Sequence, residues 1–405
     1  MTFALGNMQQ AIYSKHSVYR TFARIPHAFT LTAASLALLV MFGGLGGCAS
    51  TGSDDANKKP DNVLWPLPPE TPRYKFVGYL FSEDQVTEAA SGMSVMRDKL
   101  LGKPREAGRQ LKKPYAVHAD KSGRVYVADS GWGKVLVFDP QNKKFAIWGE
   151  HGQGILAKPL GIASDKHGYI YVTDSAKQRV VIFDQNGEFV RAMGKKGELE
   201  RPVGIAVDQY SGKTYVVDTK SHNIAVYSPQ GGLLTKIGKR GMEPGEFNFP
   251  TNITIGPAGK IYVADSMNFR VQVLDNKGKP LMQFGSNGDA RGQFARPKGI
   301  EVDSQGNIYV VDSAFNNFQV FNPEGKLLMA LGGGGRKPGE FQLPAGMYID
   351  DNDQIYVADQ YNWRIQIFEF LKNNDHKSEG SITRVDTEAS DSRNNKPRAG
   401  GARPE

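Results

Sequence analysis

Two ionisable side chains, His118 and Glu301, each lie four residues after a proline that opens an apolar stretch; Ala163, Ala206, Thr254 and Tyr348 hold the same offset in other copies of the pattern. If those stretches line a common interior, His118 and Glu301 could serve as acid and base on a bound molecule. The alternative is that each hydrogen-bonds backbone or water inside a wet channel. A second set is aromatic and basic: Trp132, His151, His222, Arg240, Phe269, Phe315, Arg336, Tyr361 and Trp363. Rigid rings beside cations make a recognition surface at low entropic cost, although single exposed aromatics also pack locally. Six aspartates, Asp129, Asp174, Asp218, Asp265, Asp312 and Asp359, suggest a carboxylate ring. A residue needed in every copy is more simply a turn-former whose carboxylate accepts backbone N–H groups. Arg179, Arg270 and Arg364 recur in the same way and read as partners in blade-to-blade polar contacts.

The elements that must position these residues follow from one repeat. A Tyr-Val-x-Asp string ends at each of the six aspartates, with a period of 44–47 residues, so one supersecondary unit is copied six times. Each unit opens on a first strand, as in Pro159-Leu160-Gly161-Ile162 or Pro297-Lys298-Gly299-Ile300. A turn follows at Gly123, Gly168, Gly212, Gly259 and Gly306, with Asp353 in the sixth copy, where a positive φ suits glycine or a short polar residue. The Tyr-Val segment is a second strand rich in aromatic and β-branched residues. Third strands run over 134–138, 179–183, 270–274 and 364–368, and fourth strands over 189–193, 233–237, 281–284 and 327–331. Four antiparallel strands per period define a propeller blade. The expected fold is therefore all-β, a six-bladed β-propeller over residues 74–372. The last copy lacks a fourth strand, and Tyr74-Lys75-Phe76-Val77-Gly78-Tyr79-Leu80-Phe81 has the pattern to supply it, closing the ring without exposed sheet edges.

These blades resemble the NHL-repeat family of six-bladed propellers, with Ile261-Tyr262-Val263-Ala264-Asp265 and Asn268-Phe269-Arg270-Val271 fitting its pattern best. Departures are Ala116 and Asn252 in place of a first-strand glycine, and Asn317 in place of an arginine. The resemblance implies two enzymatic tests. Peptidyl-hydroxyglycine lyases of similar build present Pro-His pairs to zinc, but the residues after the prolines are Tyr115, Leu160, Val203, Thr251, Lys298 and Ala345. Six-bladed lactonases hold calcium with several oxygens, and only Asn252 is suitably placed. No cofactor or metal is therefore expected.

Residues 1–47 carry Lys15, Arg20 and Arg24 and then an apolar run over 31–47, the layout of an export signal. Leu45-Gly46-Gly47-Cys48 resembles a bacterial lipobox, which implies acylation of Cys48, and Ala49 and Ser50 follow with no Asp at the next position, which implies outer-membrane sorting. The other reading is a plain membrane anchor, for which the run is short. Cys48 is the only cysteine, so no intramolecular disulfide is available. Residues 48–73 read as a flexible, Pro-rich tether. Within 82–110, Val86, Ala89, Ala90, Met93, Met96 and Leu100 recur at helical spacing, suggesting an amphipathic insertion that could be a lid, a docking helix or packing over a blade edge. Residues 373–405 read as a disordered tail.

The formal net charge of +8 divides as +3 over 1–47 and +5 over 111–372, where 32 basic residues face 27 acidic ones, while the tail is balanced. A mildly basic ring behind an export signal does not point to nucleic acid. The expected function is a noncatalytic, lipid-anchored binding or scaffold module of the cell envelope, on the outer membrane facing the periplasm or the cell surface. It would take a protein, peptide or glycan through Tyr115, Trp132, His151, His222, Asn252, Phe269, Lys298, Phe315, Tyr361 and Trp363, and touch the membrane only through its anchor. The rival is a metal-dependent hydrolase or lyase, lactonase-like or peptidyl-hydroxyglycine-lyase-like, working at the central channel.

Overall fold

A computed structural model of the chain describes residues 63–88 and 108–372. The export signal, Cys48, the middle of the expected insertion and the tail lie outside the described residues. Six sheets of four or five strands form the six blades, antiparallel except where the short Glu340–Phe341 pairs parallel to Leu327–Gly334. The first blade comprises Pro114–Ala119, Val125–Asp129, Lys134–Asp139 and Lys144–Trp148. The innermost strands of the next five are Pro159–Ser164, Pro202–Val207, Asn252–Ile255, Pro297–Val302 and Met347–Ile349. In the sixth sheet Tyr74–Leu80 pairs with Arg364–Phe370, with Tyr74 opposite Phe370 and Leu80 opposite Ile365.

The burial of each strand follows from its place in a blade. Second strands such as Ile261–Asp265 are buried along their whole length because both faces meet neighbouring blades, which is why they read as continuous apolar runs. Fourth strands, such as Leu233–Ile237, are the outermost and stay partly exposed. Six hydrophobic clusters fill the spaces between successive blades. Between blades five and six, Tyr74 and Phe76 join Phe318, Phe341 and Phe368 in one such core.

The recurring aspartates are fully buried and accept backbone N–H groups from the loop that enters each blade. Asp129 takes Lys112 and Lys113 at 2.6 and 2.9 Å, Asp218 takes Glu200 and Arg201 at 2.8 and 2.7 Å, and Asp359 takes Gln342 at 2.8 Å. They are structural clamps, as their recurrence implied. Two of the arginines complete them: Arg270 Nε donates to Asp265, and Arg364 Nε donates to Asp359 at 2.8 Å while its other nitrogens reach the carbonyls of Arg336 and Glu340, whereas Arg179 donates to the Gln153 and Ile155 carbonyls instead. At the turn where five blades use glycine, Asp353 sits at φ +60°.

One expected boundary changes. Residues 63–73, read as tether, fold back on the propeller. Leu64–Trp65 pairs with the strand that begins at Tyr74, and the Trp65 ring packs 5.7 Å from Phe368 because it covers apolar surface that would otherwise face water. The feet of the insertion are pinned, Glu83 N–H donating to the Arg109 carbonyl and Leu111 N–H to that of Phe81, both at 2.8 Å. Among the described residues of that segment the only helical turn is the 3-10 turn Glu83–Gln85.

Candidate functional site

The six innermost strands approach so closely that the channel is almost shut. A Cβ on Gly204 would fall 2.6 Å from the Asn252 Cα, and one on Gly346 would fall 2.7 Å from the Tyr115 carbonyl oxygen, contacts that no larger residue tolerates. The cavity left among Tyr115, Thr251, Asn252, Lys298 and Glu301 has a volume of about 30 Å³. That is room for a water molecule or two, against the several hundred Å³ of a small-molecule pocket.

Towards the face formed by the short turns, the polar offset becomes a contiguous arc. His118 and Tyr348 stack with centroids 4.2 Å apart, and His118 Nε2 lies 2.8 Å from Ser164 Oγ. Thr254 Oγ1 donates to Glu301 at 2.7 Å. Burial, and next the Glu301 carboxyl, push the Tyr348 phenol up; blade six, which carries Tyr348, stands between blade five with Glu301 and blade one with His118. Burial holds His118 down at about 4 and pushes Glu301 up to about 8, so both are neutral near neutrality.

The opposite face carries the loops that enter each blade and those that join second strands to third. Here Trp132, Tyr361 and Trp363 are 38%, 47% and 54% exposed on blades one and six. Cations cover two of them: the Lys112 ammonium stands 4.9 Å above Trp132, which Arg109 also faces at 5.5 Å, and the Lys113 ammonium 5.5 Å above Tyr361. These contacts hold rings and charges as one patch. Lys298 reaches over Tyr115 at the channel mouth at 5.8 Å.

The other sequence candidates are placed differently. His222 is buried at φ +55°, its Nδ1 accepting the Phe249 N–H at 3.1 Å and its ring against Phe249. It braces the loop and is not presented to a ligand. Asn252 Oδ1 is occupied by the Ile253 N–H at 2.9 Å. Phe269 and Phe315 are half-buried, and His151 is exposed at the start of the turn Gly152–Gly154. Two features escaped the sequence reading. Gln272, Gln319 and Gln366, each polar in the middle of an apolar third strand, grip the entering loops through Glu246, Gln293 and Glu340 carbonyls. The larger cavity, about 440 Å³, lies on the turn face between blades two and three, lined by Tyr169, Tyr171, Tyr210 and Arg191 among others.

A family profile described as a 6-bladed beta-propeller, DUF5128, matches residues 203–268 and 302–379. The fold is similar to that of several solved structures. A streptogramin B lyase is 14% identical over 64% of this chain and 94% of its own, with a TM-score of 0.51. Virginiamycin B lyase from Staphylococcus aureus is 14% identical over 74% and 100%, with a TM-score of 0.51. An auxiliary nutrient binding protein from Bacteroides thetaiotaomicron is 13% identical over 66% and 71%, also with a TM-score of 0.51. At such identities what is shared is the fold. No curated protein matches the chain. The chain is a six-bladed β-propeller.

Proposed function

We propose that this chain is an NHL-type propeller lipoprotein of the cell envelope, anchored through Cys48, that binds a protein, peptide or glycan on its loop face without catalysing a reaction on it. The observation that carries this reading is the grouping of Trp132, Tyr361 and Trp363 with Arg109, Lys112 and Lys113 on two adjacent blades. Partly exposed aromatics under cations give anchors for a macromolecular surface. The rival reading, a hydrolase or lyase at the channel, would place its substrate beside His118, Tyr348 and Glu301. Of these three only Glu301 lines the 30 Å³ cavity, which is too small to admit a substrate.

The test is capture from cell envelopes by the mature chain after chemical crosslinking, comparing wild type with Trp363→Ala/Tyr361→Ala and with Tyr210→Ala on the turn face. The expected result is an adduct lost in the first variant and retained in the second; the reverse pattern overturns the face assignment. Calcium and zinc titrations of the same purified protein address the rival, which gains support if either metal binds stoichiometrically.

A further inference from the structure

The loop-face mouth of the channel gathers basic side chains. In four blades a basic residue stands immediately before the proline of the innermost strand: Lys113, Lys158, Arg201 and Arg296. Lys298 follows inside the rim. Among the described residues no carboxylate oxygen lies within 4 Å of any of these cations, whereas Lys220, Lys239, Arg270 and Arg364 on the same face all have one. The neighbouring carboxylates are spent on the backbone: Asp312 accepts the N–H groups of Ala295 and Arg296, and Asp129 those of Lys112 and Lys113.

Several of these cations act on one small space. Burial, joined by repulsion from Arg296 and Lys113 and opposed by the Asp312 carboxylate, holds the Lys298 amine down at about 8. Arg201 acts on the Tyr115 phenol, over which the Lys298 ammonium is poised at 5.8 Å. A partly desolvated ammonium facing like charges is destabilised until an anion joins it. Below the rim the close approach of the strands at Gly204 and Gly346 blocks passage, so an incoming group stops at the mouth.

We propose that this mouth is an oxyanion site in which Lys298, assisted by Arg201, Arg296 and Lys113, takes one carboxylate or phosphate group carried by the ligand. The proposal rests on the loop face being the binding face, and it specifies the chemistry of that ligand. Ammonium and guanidinium groups around one rim with no direct ion-pair partner suit an oxyanion through charge-assisted hydrogen bonds.

The experiment is calorimetric titration of the purified mature chain at low ionic strength, with inorganic phosphate in one arm and succinate in the other. The variants are Lys298→Met and, as a turn-face control, Lys166→Met. The expected result is one equivalent of at least one anion bound by wild type, weakened about tenfold or more in Lys298→Met, the loss of one charge-assisted hydrogen bond. Lys166→Met should match wild type. The arm that binds identifies the oxyanion. Thermal unfolding keeps the variant interpretable, since removing a partly buried charge should not lower its midpoint. Absence of binding in both arms, or equal affinity in Lys298→Met, overturns the site. A chain that binds the anion but keeps its envelope partner in the Trp363→Ala/Tyr361→Ala variant overturns the docking face and leaves the anion site standing.

Discussion

Replacing Asp359 with alanine should be among the most damaging single changes in the propeller. Its carboxylate is fully buried and accepts four hydrogen bonds: the Gln342 N–H at 2.8 Å, Asn362 Nδ2 at 2.8 Å, Arg364 Nε at 2.8 Å and Gln366 Nε2 at 3.0 Å. The Arg364 side chain is only 10% exposed and its guanidinium packs 4.1 Å from the Tyr79 ring, so Asp359→Ala leaves a cation in the interior without its counter-charge. Breaking a buried pair in this way costs about 3–5 kcal/mol. Asp129 offers a contrast, because it holds the N–H groups of Lys112, Lys113, Gly131 and Trp132 and no arginine. Those neutral donors lie near exposed loop residues that water can reach, and their loss should cost about 1–3 kcal/mol. Urea denaturation followed by both tryptophan fluorescence and circular dichroism provides the measurement, with coincident transitions required before free energies are compared. Asp359→Ala should be the weaker variant by about 2 kcal/mol, and Asp359→Ala/Arg364→Met should recover part of the loss. A cost below about 1 kcal/mol for Asp359→Ala, or a double variant worse than the sum of its singles, would refute the clamp.

Three further expectations concern the channel and the ring. Glu301 is neutral in the fold with its pKa at about 8, so its contribution is complete below the ordinary carboxylate range and is lost as pH climbs through 8. Glu301→Gln should therefore gain stability over wild type by about 2–5 kcal/mol between pH 5 and 8; thermal midpoints measured against pH that run parallel for the two proteins would contradict this. His118 works in the opposite sense: kept neutral down to about 4, it makes wild type lose stability as pH falls from about 6.5 towards 4, a loss that His118→Gln should remove. Phe76, 2% exposed against Phe368 and Tyr79, should cost about 3–5 kcal/mol on truncation to alanine. An unchanged denaturation midpoint would show that its strand does not support the sixth blade.

The blades were legible because one pattern, repeated at a fixed period, marks both the buried second strand and the aspartate that ends it. Even the exception at Asp353 could be read, since a short polar side chain tolerates a positive φ. What could not be read was anything that depends on which copies meet in space. Tyr348 stood in the same column as His118 and Glu301, yet only in the ring does blade six stand between the blades that carry them. His222 looked like a surface candidate because its loop varies, but its Nδ1 accepts the Phe249 N–H and its ring packs against Phe249. Trp65 lay in a Pro-rich stretch that composition assigns to a tether, and a long-range contact with Phe368 decides otherwise. The turn-face groove is built from Tyr169 and Tyr210, residues of two ordinary turns that become neighbours only across blades two and three.

The claim that the loop face is where this propeller meets its partner is tested most directly by a photo-crosslinking amino acid placed in living cells at position 361 or 363 and, separately, at position 210. The account predicts one discrete adduct from the first two positions and none from the third. An adduct confined to position 210 would contradict it and move the binding site to the groove between blades two and three.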